Sequence, residues 1–418
     1  MRIAAEFEAK GMAMNESPNV TRFTLIVALV ALATSPLFAN RASALPDGLL
    51  SHGQILINGD AGFTPANGVT SGSGTVVDPY VIEGWDINAS SVNGIEIRNT
   101  TAYFVIRNCY VHNGGYQGIW FFNVKNGKID NNLFENNYSG IYLMISDNNL
   151  VSNNIVGNNE FGIWIFRSDN NIISNNVAEN NNYGIMLYSN SNYNFVSNDT
   201  VENNVHGINL SESDNNLIEN NTVENNEVGI FLHYSGNNFV SNNILKNNGS
   251  GIYLAWSDNN LVSNNIVDNS HHGAVYSLAI PPAGSGIWIY YSNNNLIFRN
   301  DFVNNINQAH DDGVNLWDNG YPSGGNYWGD YKGTDNYRGE NQNKPGSDNI
   351  GDTPYLISGG TNRDRYSLMN SITEVPPGPS PEARPGPPWG LIIGIIILAA
   401  VIICVVVWYL LNLKKKGL

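Results

Sequence analysis

Residues 140–161 read Gly-Ile-Tyr-Leu-Met-Ile-Ser-Asp-Asn-Asn-Leu-Val-Ser-Asn-Asn-Ile-Val-Gly-Asn-Asn-Glu-Phe, and the phrase begins again at Gly162-Ile-Trp-Ile-Phe166. Its Gly starts fall at Gly94, Gly118, Gly140, Gly162, Gly184, Gly207, Gly229, Gly251 and Gly286, giving spacings of 24, 22, 22, 22, 23, 22, 22 and 35. A near-constant period of this length marks a solenoid. It is too short for two packed helices, and its apolar runs of two to five residues are rich in Ile, Val, Leu and aromatics, which are strand signals. Ile141 and Leu143 alternate with outward positions. Each period therefore reads as one coil of three short strands.

The corners are the Asn pairs, Asn148-Asn149, Asn153-Asn154 and Asn158-Asn159 in one coil. Asn accepts the left-handed backbone that a sharp corner needs, and stacked amides can bond from coil to coil at about 4.8 Å. An Asn-rich tract can also be disordered or prion-like, but the strict register with interleaved Ile and Val argues for a folded stack.

Working outward, residues 45–93 hold short apolar runs broken by Gly and Pro and read as N-terminal capping coils, since a solenoid must cover its open strand edges. The repeats proper run over 94–311, and the Gly, Asp and aromatic-rich 312–370 reads as a second cap. Residues 371–388 form a Pro-rich stalk, about 45 Å long if extended as polyproline II. Leu391 to Leu411 is an apolar run long enough to span a bilayer, with Trp389 and Trp408-Tyr409 suited to the two interfaces and Lys414–Lys416 beyond its end, so 389–418 reads as a transmembrane anchor with a basic cytoplasmic tail. At the other end, Phe23–Leu32 followed by Ala42-Ser43-Ala44 reads as a secretory leader over 1–44. Its long acidic front allows two variants, a true start at Met14 or an uncleaved signal anchor. The expected location is the cell membrane, single-pass, with the ectodomain outside.

The 418 residues carry a formal net charge of -16, and no basic cluster precedes the last turn, which disfavours nucleic acid as a partner. The two cysteines, Cys109 and Cys404, fall in the repeats and the apolar tail, so no disulfide is expected. Sequons at Asn88, Asn99, Asn137, Asn198 and Asn248 offer glycosylation sites outside the cell.

These residues resemble a known group. The repeat is similar to that of the NosD-type and carbohydrate-binding/sugar-hydrolase (CASH) β-helix proteins, related in architecture to pectate lyases and alginate epimerases. The flanks, Gly72-Ser-Gly-Thr-Val-Val-Asp-Pro-Tyr-Val-Ile-Glu-Gly-Trp85, Gly325-Asn-Tyr-Trp-Gly-Asp-Tyr331 and Ile350-Gly-Asp-Thr-Pro-Tyr355, resemble archaeal surface proteins of that group. The resemblance covers about 54–370 and implies an all-β, right-handed parallel β-helix. It leaves activity open, because this fold serves lyases, hydrolases, epimerases and non-enzymes.

Two residues after each repeat glycine lies a row reading Glu96, Trp120, Tyr142, Trp164, Met186, Asn209, Phe231, Tyr253, Trp288. With the preceding Ile in the core, this row faces out and lines up along the axis. Exposed aromatics in such numbers need a partner. Sugar rings stack their C–H faces on aromatic planes, so Trp120, Tyr142, Trp164, Phe231, Tyr253 and Trp288 are the expected ligand-binding residues for an extended glycan. The competing readings are a neighbouring protomer, a surface-layer partner, or cover by the insertion between Gly273 and Gly286. The expected function is surface recognition or adhesion through glycan binding; the alternatives are a polysaccharide lyase, hydrolase or C5-epimerase, or a NosD-like copper-handling accessory protein.

Chemistry is thinner. Glu179, Glu202 and Glu224 recur at one coil spacing and suggest an acid/base pair, a cation site or a solvated corner. Arg98, Arg107, Arg167 and Arg299 fall out of phase for a lyase base. Copper, implied by the resemblance, needs His, Met or Cys brought together, and His112, His206, His233 and His271-His272 do not share a phase. Calcium is a candidate at Asp348, Asn349 and Asp352, with an Asx turn as the structural alternative.

Overall fold

The computed structural model describes residues 48–271 and 283–372. The chain winds as a right-handed parallel β-helix of about 11 turns, with three sheets of 11, 11 and 12 strands. One coil shows the plan. Ser139–Met144 lies in the first sheet, Leu150–Ser152 in the second and Ile155–Gly157 in the third. The next coil enters the first sheet as Phe161–Phe166, and the 22-residue period sets Ile141 against Ile163 and Leu143 against Ile165.

Why this phrase makes this coil follows from three residue types. Ile141, Leu143, Val151 and Val156 all point inward and are fully buried, each worth roughly 2 kcal/mol relative to exposure. The repeat glycine is demanded by crowding. A Cβ on Gly162 would sit 2.5 Å from the carbonyl oxygen of Gly184, closer than any real Cβ contact, so this column has no room for a side chain.

The Asn pairs divide their labour. The first of each pair is left-handed, as at Asn148 (φ 58), Asn153 (φ 57) and Asn158 (φ 57). The second is buried and builds a ladder. Asn154 Oδ1 accepts from the Asn132 backbone N–H at 3.0 Å, and Asn154 Nδ2 donates to Ile129 O at 2.9 Å and to Asn176 Oδ1 at 3.0 Å. The corner thus satisfies backbone groups that the sheets leave unpaired. One consequence corrects the sequence reading of the sequons: Asn88, Asn99 and Asn198 are exposed, whereas Asn137 and Asn248 are ladder rungs in the interior.

At the N-terminal end, Ile55–Asn58, Tyr80–Glu83 and Trp85–Asn88 complete the first coil, with Val69–Ser71 pairing antiparallel to Tyr80–Glu83. At the other end Trp317 and Trp328 close the core. Trp328 stacks on Phe302 and Tyr355 at 4.9 and 4.2 Å, and its indole N–H donates to Asp364 at 2.9 Å. No helix among the described residues is long and apolar enough to cross a membrane. The expected leader, the Leu391–Leu411 span and nearly all of the stalk lie outside the described residues. Cys109 is buried with its thiol free.

Candidate functional site

The outer face of the first sheet carries three columns of side chains. The row two residues after each glycine is its centre, as the alternation requires: Tyr142 pairs with Trp120 and Trp164, and Phe231 pairs with Tyr253. On one side runs the residue before the glycine, Ser139, Phe161, Tyr183 and His206 in successive coils. On the other run Phe122, Met144, Phe166 and Tyr188.

The row is less open than its outward register suggests. Tyr142 and Tyr253 are buried, and Trp120, Trp164, Phe231 and Trp288 are half-buried. Coils repeat at about the thickness of two stacked rings, so neighbours take up each other's faces. Tyr142 stacks on Trp164 at 4.4 Å, Phe231 on Tyr253 at 4.7 Å and Trp288 on His310 at 3.7 Å. Phe161 adds a second layer on Trp164 at 4.4 Å and continues through Tyr183 to His206. The rings turn their faces along the solenoid axis. Approach from solvent therefore meets ring edges, with polar atoms just beneath them.

Those polar atoms are unusual. Among the described residues nine buried side-chain polar atoms lack a hydrogen-bond partner. Two lie elsewhere, on Asp199 and Gln342. Six belong to this face: Arg98 Nε, Trp120 Nε1, Ser139 Oγ, Trp164 Nε1, His206 Nδ1 and Asn209 Oδ1; the seventh, Glu227 Oε2, stands at the corner leading into it. Folded proteins pair nearly all such atoms, each orphan costing about 1–3 kcal/mol, so their concentration on one face outside the core calls for a partner that can donate and accept.

The face is also uncharged over much of its length. Burial pushes the Tyr142 and Tyr253 hydroxyls up to about 12 and holds His206 down to about 4. Burial likewise lowers His233 and His310 and raises the Glu227 carboxyl. At neutral pH these histidines are neutral ring donors and acceptors. The cations present lie toward the N-terminal end, where Arg98 pairs with Glu96 and sits over Trp120, and Arg167 sits over Phe166.

Two columns escaped the sequence reading. The one before the glycine, with Phe161, Tyr183 and His206, breaks strict alternation and so looked like corner. The other is the corner five residues after the glycine: Asn99, Asn123, Ile145, Arg167, Ser189, Glu212, Tyr234, Trp256 and Tyr291, all with positive φ. A bulky side chain in that conformation costs about 1–2 kcal/mol. The departure from Asn was the signal available.

The remaining candidates are occupied by local structure. Asp352 accepts from the Asn336 and Tyr337 backbone N–H groups at 2.9 Å each, and Asp348 accepts from Gly339 N at 3.0 Å. Asn349 hydrogen-bonds to Asn370 instead. Glu179, Glu202 and Glu224 do stack in register on the third sheet, followed by Lys246. Arg107 is paired with Glu83 at 2.6 Å.

A family model described as "Periplasmic copper-binding protein (NosD)" matches residues 66–238 and 188–333, which is most of the coiled region. The chain belongs to the NosD family. No curated protein shows significant similarity to this NosD-family chain. Among solved structures, the mannuronan C-5 epimerase AlgE4 A-module of Azotobacter vinelandii aligns at 14% identity over 62% of this chain and 82% of its own, with a TM-score of 0.42. The periplasmic alginate epimerase AlgG aligns at 17% over 62% and 81%, TM-score 0.39, and the alginate lyase of Paenibacillus sp. str. FPU-7 at 15% over 66% and 98%, TM-score 0.28.

Copper, named in the NosD description, does not fit the described residues. No three His, Cys, Asp or Glu side chains among them converge on a possible metal position. His112 bonds to Asp86 at 2.9 Å, His206 lies against Tyr183, His310 lies against Trp288, and Cys109 is interior. His272 lies outside the described residues.

Proposed function

We propose that this NosD-family chain is a carbohydrate-binding protein whose binding face is the outer side of the first sheet, displayed outside the cell as its flanking sequences lead one to expect. The reading rests on the unpaired buried polar atoms of that face. They mix donors, the two indole N–H groups and the Arg98 guanidinium, with acceptors, Asn209 Oδ1 and Glu227 Oε2. A polyhydroxylated ligand offers both in close alternation, whereas an apolar protein surface or a lipid would leave all of them unpaired at the cost given above. The stacked rings between them form a stiff ridge whose edges border an extended chain.

The test is a glycan array probed with the full-length chain and with Trp164→Phe, which keeps a ring in the stack and removes the indole N–H. Loss of one hydrogen bond, about 1–1.5 kcal/mol, predicts a roughly tenfold weaker interaction with whichever glycan binds. Absence of any glycan binding by the parent chain would refute the reading. Incubation with acidic glycans, followed for new double bonds or reducing ends, separates binding from lyase or hydrolase activity.

A further inference from the structure

Three of the four corner columns of the coil keep Asn at the left-handed position almost without exception, as at Asn215, Asn237 and Asn259 or Asn220, Asn242 and Asn264. The corner that borders the candidate face does so only in its first two coils, at Asn99 and Asn123. In the last three it carries Tyr234 (φ 48), Trp256 (φ 49) and Tyr291 (φ 44). Large rings are held in a conformation that disfavours them, where the other three corners keep Asn. They are also open to solvent, at 53%, 37% and 60%, and form a second stack, Tyr234 to Trp256 at 5.2 Å and Trp256 to Tyr291 at 6.2 Å.

The charge around them is one-sided. From His206 to Ala255 and from Ser285 to Asp311, the strands of the first sheet contain no Lys or Arg. The acids in this part are Glu212 in the same corner column, Glu227 and Asp312, the last accepting from Tyr291 N at 2.7 Å. Within the same half lies Asn209, only 4% exposed, with Oδ1 unpartnered. A polyanion brought to this surface would meet carboxylates without a compensating cation. A sugar chain bearing only hydroxyls meets an acceptor, neutral imidazoles and aromatic surface.

We propose that the C-terminal half of the face, from Asn209 to the Tyr234–Trp256–Tyr291 rim, is a subsite for an uncharged glycan segment and discriminates against uronate polymers. This deepens the carbohydrate-binding reading and rests on it. Tyr291, the last ring of the rim stack and its most exposed, offers a face on which a pyranose can lie, while Asn209 Oδ1 accepts from a hydroxyl.

The experiment uses the full-length chain, hydroxyethyl cellulose and galactomannan as uncharged probes, and alginate and polygalacturonate as anionic ones, in affinity electrophoresis at low and moderate salt. The variants are Trp256→Asn and Tyr291→Asn, which install the residue that the other three corners keep in this backbone conformation and so preserve folding, checked by a thermal midpoint at or above the parent value. The expected result is retardation by an uncharged glycan, at least tenfold weaker in either variant, with no retardation by the uronates. Retardation unchanged in both variants but weakened in Trp164→Phe would overturn the rim subsite while leaving the carbohydrate-binding face intact. Preference for the uronates would overturn the charge argument in the same way. Failure of every glycan to retard the parent chain would overturn both.

Discussion

Replacing Asp199 with asparagine should stabilise the protein at neutral pH and flatten its pH profile, for reasons that can be read from one ladder of the solenoid. At the rung occupied elsewhere by Asn154, Asn176, Asn221 and Asn243, the chain places Asp199, whose Oδ1 accepts from Asn176 N at 2.7 Å and Nδ2 at 2.9 Å. At the other rungs the amide nitrogen donates to a backbone carbonyl of the preceding coil, as Asn176 does to Val151 O at 3.1 Å and Asn221 to Val196 O at 3.0 Å. Asp199 Oδ2 takes the place of that donor and has no partner. A carboxylate there would face acceptors in a dry interior; a protonated carboxyl can donate as the amide does. Burial accordingly pushes Asp199 from its ordinary 3.8 up to about 7.

That displacement of about three pH units corresponds to about 4 kcal/mol. Because the folded-state value is raised, the favourable situation is complete below about pH 4, where folded and unfolded chains are both protonated. It is lost as pH rises through about 7, where the folded state must ionise or unfold. Asp199→Asn supplies a permanent donor, so denaturant midpoints of parent and variant should nearly coincide at pH 4 and separate progressively up to pH 8, with the variant more stable by up to about 4 kcal/mol. Asp364, also raised by burial to about 7, is common to both chains and cancels in the difference. Parallel profiles from pH 4 to 8, or a variant less stable than the parent at pH 8, would refute the ladder argument.

Three further outcomes follow from the same coil. Asn154→Ala removes the acceptor of the Asn132 backbone N–H and the donor to Ile129 O, and should cost about 2–4 kcal/mol by orphaning two buried groups of the preceding coil, measurable as a shift in the chemical unfolding midpoint. Gly162→Ala forces a methyl against the Gly184 carbonyl and should destabilise the chain by more than the 1–3 kcal/mol of ordinary overpacking, with faster amide exchange in the flanking strands. Tyr234→Asn relieves a left-handed tyrosine and should raise stability by about 1 kcal/mol, read as a higher thermal midpoint.

The coil was readable in the sequence because its requirements are local and repeated. Gly162 has no room for a Cβ, Asn153 turns the corner, and Ile163 with Ile165 enters the core, and from Gly118 to Gly251 the phrase recurs every 22 or 23 residues. The placing of the six aromatic candidates on one outer face followed from strand alternation alone. Their exposure did not, because it depends on how rings from successive coils settle against one another. Tyr142 is buried by Trp164 and Tyr253 by Phe231; register makes each pair neighbours but does not fix the tilt that lays one ring on the other. Phe161, Tyr183 and His206 were missed because the strand bends at its glycine and brings the preceding residue onto the same face. Trp256 and its neighbours were missed because their column lacks the Asn pair that marks the other corners. Asp199 was likewise hidden in an Asn-rich run, where one carboxylate among amides matters only once the rung is known to be dry.

The central claim is that the outer face of the first sheet binds carbohydrate through its unpaired polar atoms, and the indole N–H groups of Trp120 and Trp164 report on it directly. Labelling the full-length chain with 15N at tryptophan and adding a glycan selected from the array should move those two indole resonances, assigned by Trp120→Phe and Trp164→Phe, while the interior Trp317 and Trp328 signals, whose N–H groups already bond to Asp311 and Asp364, stay in place. Saturating glycan that leaves the Trp120 and Trp164 indole resonances unmoved would contradict the account.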